Sequence, residues 1–226
     1  MSRNIVILGA SQGIGAALVE VFAKDPSNKV FALARQIELM KAQFKQENVL
    51  AYKLDLLENI HEQIEALKLP NNIDILINNA GLLINKPFET ITHQDFHNSY
   101  QVNVIGIMEA TQAFLPLLKA GSHVVNISSM GGFQGSLKFA GLAAYSTAKA
   151  ALCSFTEMFA EEYKDSSIHM NCLCLGAVQT EMLQQAFPGY EAPTTPQQMA
   201  QFIANFALHS GQLLNGKIIP VSASNP

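Results

Sequence analysis

Seven short apolar runs recur along this chain with helix-forming stretches between them, and that order constrains the fold more than any other feature. The runs lie at residues 5–8, 30–33, 49–52, 73–77, 124–127, 170–175 and 217–221. Most are continuously apolar, as strands buried on both faces of a parallel sheet must be. Residues 16–24, 37–45, 60–67, 94–118, 143–163 and 196–209 carry helix formers with recurring apolar positions. Strand and helix alternate from end to end. The expected fold is therefore α/β: a doubly wound seven-stranded parallel sheet with helices on both faces, in three αβα layers.

The chain's 226 residues fall within the size of one such domain, so residues 1–226 read as a single unit. Its side chains are 49% hydrophobic and 14% charged, which excludes a disordered or charge-dominated chain. The net charge is -4 and Lys and Arg are scattered, so no electrostatic footprint for nucleic acid is present. No apolar stretch reaches the roughly 20 residues of a membrane helix. Three cysteines, Cys153, Cys172 and Cys174, with no secretory signal before the first apolar run, point to a reducing, cytoplasmic setting. The expected partner is a small molecule.

Gly9-Ala10-Ser11-Gln12-Gly13-Ile14-Gly15 follows the first strand and opens a helix. In that setting backbone N–H groups and the helix dipole hold a dinucleotide pyrophosphate. The plain alternative is a strand-to-helix turn without a ligand. Further along stand Asp55-Leu56 after the third strand, Asn78-Asn79-Ala80-Gly81 after the fourth, and Asn103 in the long helix. Ser128-Ser129 end the fifth strand, Tyr145-Ser146-Thr147-Ala148-Lys149 begins a helix, and Gly176, Val178 and Thr180 follow the sixth strand. Tyr145 and Lys149 are four apart on a helix and so share a face, where an ammonium lowers a phenol's pKa toward neutrality. Most such pairs are ordinary amphipathic neighbours. Adjacent Ser128 and Ser129 point to opposite faces of a strand, so one of them looks into the cleft.

The Gly-x-x-x-Gly-x-Gly spacing, the Asn-Asn-Ala-Gly segment and the Tyr-x-x-x-Lys pair together resemble the short-chain dehydrogenase/reductase family, and the likeness covers nearly the whole chain. The resemblance implies a Rossmann fold and a nicotinamide-dependent exchange of carbonyl and alcohol. It makes Tyr145 the proton donor, with Lys149 also bonding the nicotinamide ribose, Ser129 polarising the carbonyl and Asn103 holding a water that feeds the lysine. It assigns the cofactor to Gly9, Ser11, Gln12, Gly13, Ile14, Gly15, Asp55, Leu56, Asn79, Ala80, Gly81, Tyr145, Lys149, Gly176, Val178 and Thr180, with Thr180 bonding the carboxamide. It also implies a homodimer or homotetramer.

At the end of the second strand Arg35 is the one cation and no carboxylate is present. A cation there accommodates the 2′-phosphate, so NADP(H) is favoured over NAD(H). Departures from the family pattern are Leu175-Gly176 in place of Pro-Gly, a short substrate loop at about 182–195, and a tail at 218–226 without a Gly-Gly pair. The stretch from Ser129 to Tyr145 is longer than is common. In it Phe133, Leu137 and Phe139 either line an apolar pocket or simply pack the loop. A catalytically silent NADP-binding regulator is the alternative function, and a nucleotide-sugar epimerase or dehydratase fits less well.

No metal set reads from the sequence. His93 and His97 flank Asp95 at a helix start, where Thr92 and Asp95 make an N-cap. Cys172 and Cys174 share a strand face and read as core, with no further Cys or His pattern to complete a zinc site.

Overall fold

The computed structural model describes residues 2–222; tail positions 223–226 lie outside the described residues. The strands are β1 (Asn4–Leu8), β2 (Lys29–Ala34), β3 (Val49–Lys53), β4 (Ile73–Asn78), β5 (Leu118–Ser129), β6 (His169–Leu175) and β7 (Ile218–Val221). The helices are α1 (Gly13–Ala23), α2 (Ile37–Gln43), α3 (Ile60–Glu65), α4 (His93–Tyr100), α5 (Gly106–Phe114), α6 (Ala143–Glu162), α7 (Glu181–Ala186) and α8 (Pro196–His209). All seven strands join one parallel sheet in the order β3-β2-β1-β4-β5-β6-β7.

Alternate strand residues feed two cores. Ile5, Ile7, Val30, Ile75, Val125 and Leu173 pack against α1 and α8, while Val6, Leu8, Leu33, Leu76, Val124 and Met170 pack against α3, α5 and α6. This is why the strands read as unbroken apolar runs. Each large side chain sealed here, such as Phe114 at 0% exposure, contributes on the order of 2–3 kcal/mol of burial. Among the described residues no helix is long and apolar enough to cross a membrane.

The continuous helix expected over 94–118 is corrected. α4 ends at Tyr100, a π turn spans Gln101–Ile105, α5 runs to Phe114 and a 3-10 turn covers Leu115–Leu117. Gly106 N–H bonds the Gln101 carbonyl five residues back, and a Cβ on Gly106 would lie 2.9 Å from Leu56, so the helix meets the loop after β3 too closely for a regular turn. Pro116 then ends the helix, and β5 begins at Leu118, six residues ahead of the apolar run at 124–127. The second difference is α7, a six-residue helix where a loop is expected, started by Thr180 as its N-cap.

On the α8 side of the sheet, His123 is 3% exposed. Its Nδ1–H donates to the Ala207 carbonyl (3.0 Å) and its Nε2 accepts from Asn171 Nδ2 (3.0 Å), a set that requires the neutral ring. Burial holds its pKa down to about 4. An unfolded histidine protonates near pH 6.5, so between about 6.5 and about 4 the unfolded chain binds more protons, and stability falls as pH drops through that window. The expected loss from this group is on the order of 3 kcal/mol, read by urea unfolding at stepped pH, with the slope flattened in His123→Gln. An identical slope in native and variant chains would contradict it.

Candidate active site

Strand order reverses between β1 and β4, and there the loops leaving the C-terminal strand ends part to form a crevice. Leu8 is registered beside Leu33 and Asn78, Asn78 beside Asn126, and Ser129 beside Leu175, so these loops open at one sheet edge. The crevice is a cleft of about 570 Å³. It is lined by Gly9, Ser11, Gln12, Gly13, Ile14, Arg35, Asp55, Leu56, Asn79, Ala80, Gly81, Ser129, Tyr145, Lys149, Gly176, Val178 and Thr180. Gly15 and Asn103 are not part of the lining; both are buried behind it.

The glycine turn is shaped by contact. Gly9 has φ of +77°, and a Cβ there would come within 2.6 Å of the Ala80 backbone. A Cβ on Gly15 would collide with the Gly9 carbonyl and lie 2.7 Å from Asn79 Nδ2, which itself donates to that carbonyl (3.0 Å). The motif thus locks the loops after β1 and β4 together. No side chain caps the N-terminus of α1 and no acid sits in its first turn, so its dipole faces the cleft, with the Glu181 carboxylate from α7 close to Gly13. These features fit a dinucleotide pyrophosphate.

At the other end, β5 and α6 meet. Ser128 Oγ–H donates to the Lys149 carbonyl (2.8 Å) and is buried, which leaves Ser129 facing the cleft, as the strand alternation requires. Ser129 Oγ accepts from Gly131 N–H (3.2 Å) and hydrogen-bonds the Tyr145 hydroxyl. Lys149, 3% exposed, donates from Nζ to the Ile127 carbonyl (2.8 Å), with Nζ 5.9 Å from the centre of the Tyr145 ring. Burial pushes the lysine down to about 8, against an opposing pull from the Cys172, Cys153 and Cys174 thiols.

The expected acidification of Tyr145 by that ammonium is not observed. Burial raises the phenol to about 12, and only the Ser129 hydrogen bond opposes it, because the amine is turned to Ile127. Asn103 likewise spends its side chain on backbone. Its Oδ1 accepts from Leu82 N–H (3.1 Å), and its Nδ2 donates to the carbonyls of Leu82 (2.8 Å) and Ser99 (2.8 Å). It thereby ties the π turn to the loop after β4. Thr180 Oγ accepts from Leu183 N–H as the α7 cap (3.2 Å), an additional role to the one expected.

The supporting roles of several residues escaped the sequence reading. Asn78 Nδ2 donates to Asn126 Oδ1 (2.7 Å), and Asn126 Nδ2 donates to Thr156 (2.9 Å), a buried chain that joins β4, β5 and α6. Polar residues inside otherwise apolar strands were its signal. The Gly131-Gly132 pair was another: a Cβ on Gly132 would sit 2.6 Å from the Lys149 backbone, so only glycine lets this turn press against α6. Of the three loop residues left between pocket lining and loop packing, Phe139 lines the cleft, Leu137 is exposed and Phe133 packs beside the cysteines. Leu142, Leu183, Phe187 and Tyr190 also line it. The short lid is tethered through Asn85 Nδ2 to the Ala186 carbonyl (2.7 Å) and Gln179 N–H to the Thr194 carbonyl (2.8 Å).

The cleft at the switch point and the Ser-Tyr-Lys cluster at its closed end together match the arrangement that the nicotinamide-binding oxidoreductase class uses. Comparison with known proteins agrees: the family model of the short chain dehydrogenases matches residues 3–191. The chain belongs to the short-chain dehydrogenase/reductase family. It is 34% identical over 184 residues to 3-amino-tetrahydro-pyrrolizinone reductase of Xenorhabdus hominickii, a match spanning 79% of this chain and 62% of the relative. It is 30% identical over 216 residues to oxidoreductase BOA17 of Botryotinia fuckeliana, spanning 92% and 76%.

Two solved structures share the fold. The 3-ketoacyl-(acyl-carrier-protein) reductase of Brucella melitensis complexed with NADH aligns with a TM-score of 0.87 at 22% identity, covering 99% of this chain and 98% of that one. A short chain dehydrogenase of Burkholderia cenocepacia in complex with NADP aligns at 0.85 and 23%, covering 99% and 97%.

Because Gly15 packs on Gly9 and Asn79, Gly15→Ala is expected to cost about 1–3 kcal/mol of stability by overpacking and to abolish dinucleotide binding. Thermal melting together with NADPH fluorescence titration checks this, and native-like affinity in the variant would contradict it.

Proposed function

We propose that the chain is an NADP(H)-dependent carbonyl reductase, or the corresponding alcohol dehydrogenase, acting on a neutral substrate with an apolar body. The observation that carries this reading is the Tyr145 hydroxyl, hydrogen-bonded to Ser129, beside the buried Lys149 amine at the closed end of the cleft. The nicotinamide, when bound, supplies or accepts the hydride.

The residues of the chain manage position and protons. Tyr145, held at about 12, stays protonated across physiological pH and donates its proton to the substrate oxygen. Ser129 hydrogen-bonds the same oxygen and stabilises the charge that develops on it. Lys149 is an ammonium below its pKa of about 8, where it stabilises the phenolate left behind. Above that pH it turns neutral and the support is lost, so carbonyl reduction slows as pH rises through about 8. Asn103 acts as a positioning residue, through Leu82 and the backbone that leads from Gly81.

Arg35 at the rim after β2 supports NADP(H), since its fork suits a 2′-phosphate and no carboxylate lines that edge near it except Asp55 on the next strand's loop. The substrate class rests on the remaining lining. Leu83, Met130, Phe139, Leu142, Met182, Phe187 and Tyr190 belong to the cleft lining, and the Glu181 carboxylate in it lies close to the glycine turn at Gly13. The Lys149 amine is already bonded to the Ile127 carbonyl, and an apolar ketone, aldehyde or quinone buries well against these side chains.

The test is NADPH consumption with a panel of apolar aldehydes, ketones and quinones. The native chain is expected to turn over with a lower KM for NADPH than for NADH, and Tyr145→Phe to lose roughly 100- to 10,000-fold in kcat with NADPH affinity kept. Tight NADPH binding without tyrosine-dependent turnover on any substrate would favour a silent regulator and overturn the proposal.

A further inference from the structure

Beneath Lys149, where α6 packs on β6, the fold gathers every cysteine of the chain. Cys172 and Cys174 project from one face of β6, and Cys153 reaches down to them from α6, one turn after Lys149. Cys153 Sγ lies 3.6 Å from Cys174 Sγ and 3.9 Å from Cys172 Sγ, and all three sulfurs lie within 4.8 Å of one another. None is in a disulfide. Bonds of about 2.3 Å to one three-coordinate, pyramidal centre hold sulfurs roughly 3.4 Å apart, so the Cys153 spacings are near that already and the thiols need only draw together.

The surroundings select the occupant. Met130, Phe133 and Ile218 enclose the thiols, and among the described residues no His, Asp or Glu joins the group. Zinc would need a fourth ligand, and the nearest side-chain oxygen, Ser128 Oγ at 3.5 Å from Cys153 Sγ, is a hydroxyl already committed to the Lys149 carbonyl. A monovalent ion bound by three thiolates would leave two net negative charges, more than the one Lys149 ammonium beside them can offset, in a site whose members are 0–9% exposed. A trivalent atom with three bonds and a lone pair has neither difficulty. We propose that Cys153, Cys172 and Cys174 form a binding site for a trivalent, three-coordinate thiophile of the arsenite or antimonite class.

The exchange is balanced and involves no change of oxidation state. Three S–H groups lose their protons, three As–S bonds form, three As–OH bonds break and three waters leave. Entry runs past Cys153, the least buried of the three, where the edge strand β7 and the 130–141 loop cover the cluster with partly buried side chains. Capture also engages α6 at the turn that carries Lys149, because the Cys153 thiol contacts the Lys149 carbonyl (3.3 Å) in the free protein. This site stands apart from the proposed carbonyl reduction, and its test needs no substrate.

The full-length reduced chain is incubated with sodium arsenite and followed by native mass spectrometry, thiol titration and thermal melting. One arsenic per folded chain is expected, with all three thiols lost to titration and a higher Tm through mass action. Cys172→Ala and Cys174→Ala are expected to weaken binding by more than the roughly 100-fold that loss of an outer-shell partner costs a metal site. Their own cooperative melting shows that they fold. Failure of the native folded chain to take up arsenic, retention of free thiols on loading, or equal affinity in Cys172→Ala would each overturn the proposal. The thiol count on the native chain decides the matter even where a variant does not fold.

Discussion

A lysine amine sealed from water is the interaction on which the rest of this structure turns. Lys149 Nζ hangs from the Ile127 carbonyl at 2.8 Å, just under the cleft floor, and burial holds its proton less tightly than in solution. An ammonium in such a place is costly unless it is bonded, and the strand carbonyl provides that bond without neutralising it. The charge stays beside the neighbouring phenol, with Nζ 5.9 Å from its ring centre, without lowering the phenol's pKa in the free chain. Tyr145 in turn is kept a phenol by the same burial and is met by Ser129. Acid and cation lie side by side with their pKa values pushed in opposite directions, which is the arrangement expected where a proton is to be handed over.

Holding that pair in register takes more than the pair itself. The Asn78–Asn126–Thr156 chain fixes β4, β5 and α6 to one another, and Ser128 ties β5 to the Lys149 carbonyl from below. Asn103, at 0% exposure, closes the opposite side by fastening the π turn to Leu82. A π turn shifts the side chains that follow it relative to a regular helix, and here it places a buried amide against a loop that lines the cleft. The cysteines below α6 add a soft floor of sulfur atoms. These contacts are polar or tightly packed, and each would leave a buried group unpaired if one partner were lost.

Much of this was legible in the residues. Strands buried on both faces cannot hide in a sequence, and 196–209 was bounded correctly because Pro196 follows the capping Thr195 and the apolar period stops at His209. The glycine turn and the Ser-Tyr-Lys positions were legible because their spacing is set by contacts within one strand–turn–helix unit. What escaped was tertiary. Nothing local at 94–118 announces that Gly106 must pass Leu56, so the break in that helix was unreadable. The short α7 has too few residues for a period to show. The proximity of Cys153 to Cys172 and Cys174 arises only when α6 packs on β6. The direction of the tyrosine shift was misjudged because helix spacing indicates that two side chains share a face, not that the amine has found a carbonyl instead.

The account's central claim is that Lys149 carries an ammonium weakened by burial within reach of Tyr145. The most direct measurement is an NMR titration of the chain with carbon-13 at the lysine Cε, assigned through Lys149→Arg. One resonance is expected to titrate with a midpoint near 8, far below the rest, and to vanish in that variant. A full set of lysines titrating together near pH 10.4 would contradict it.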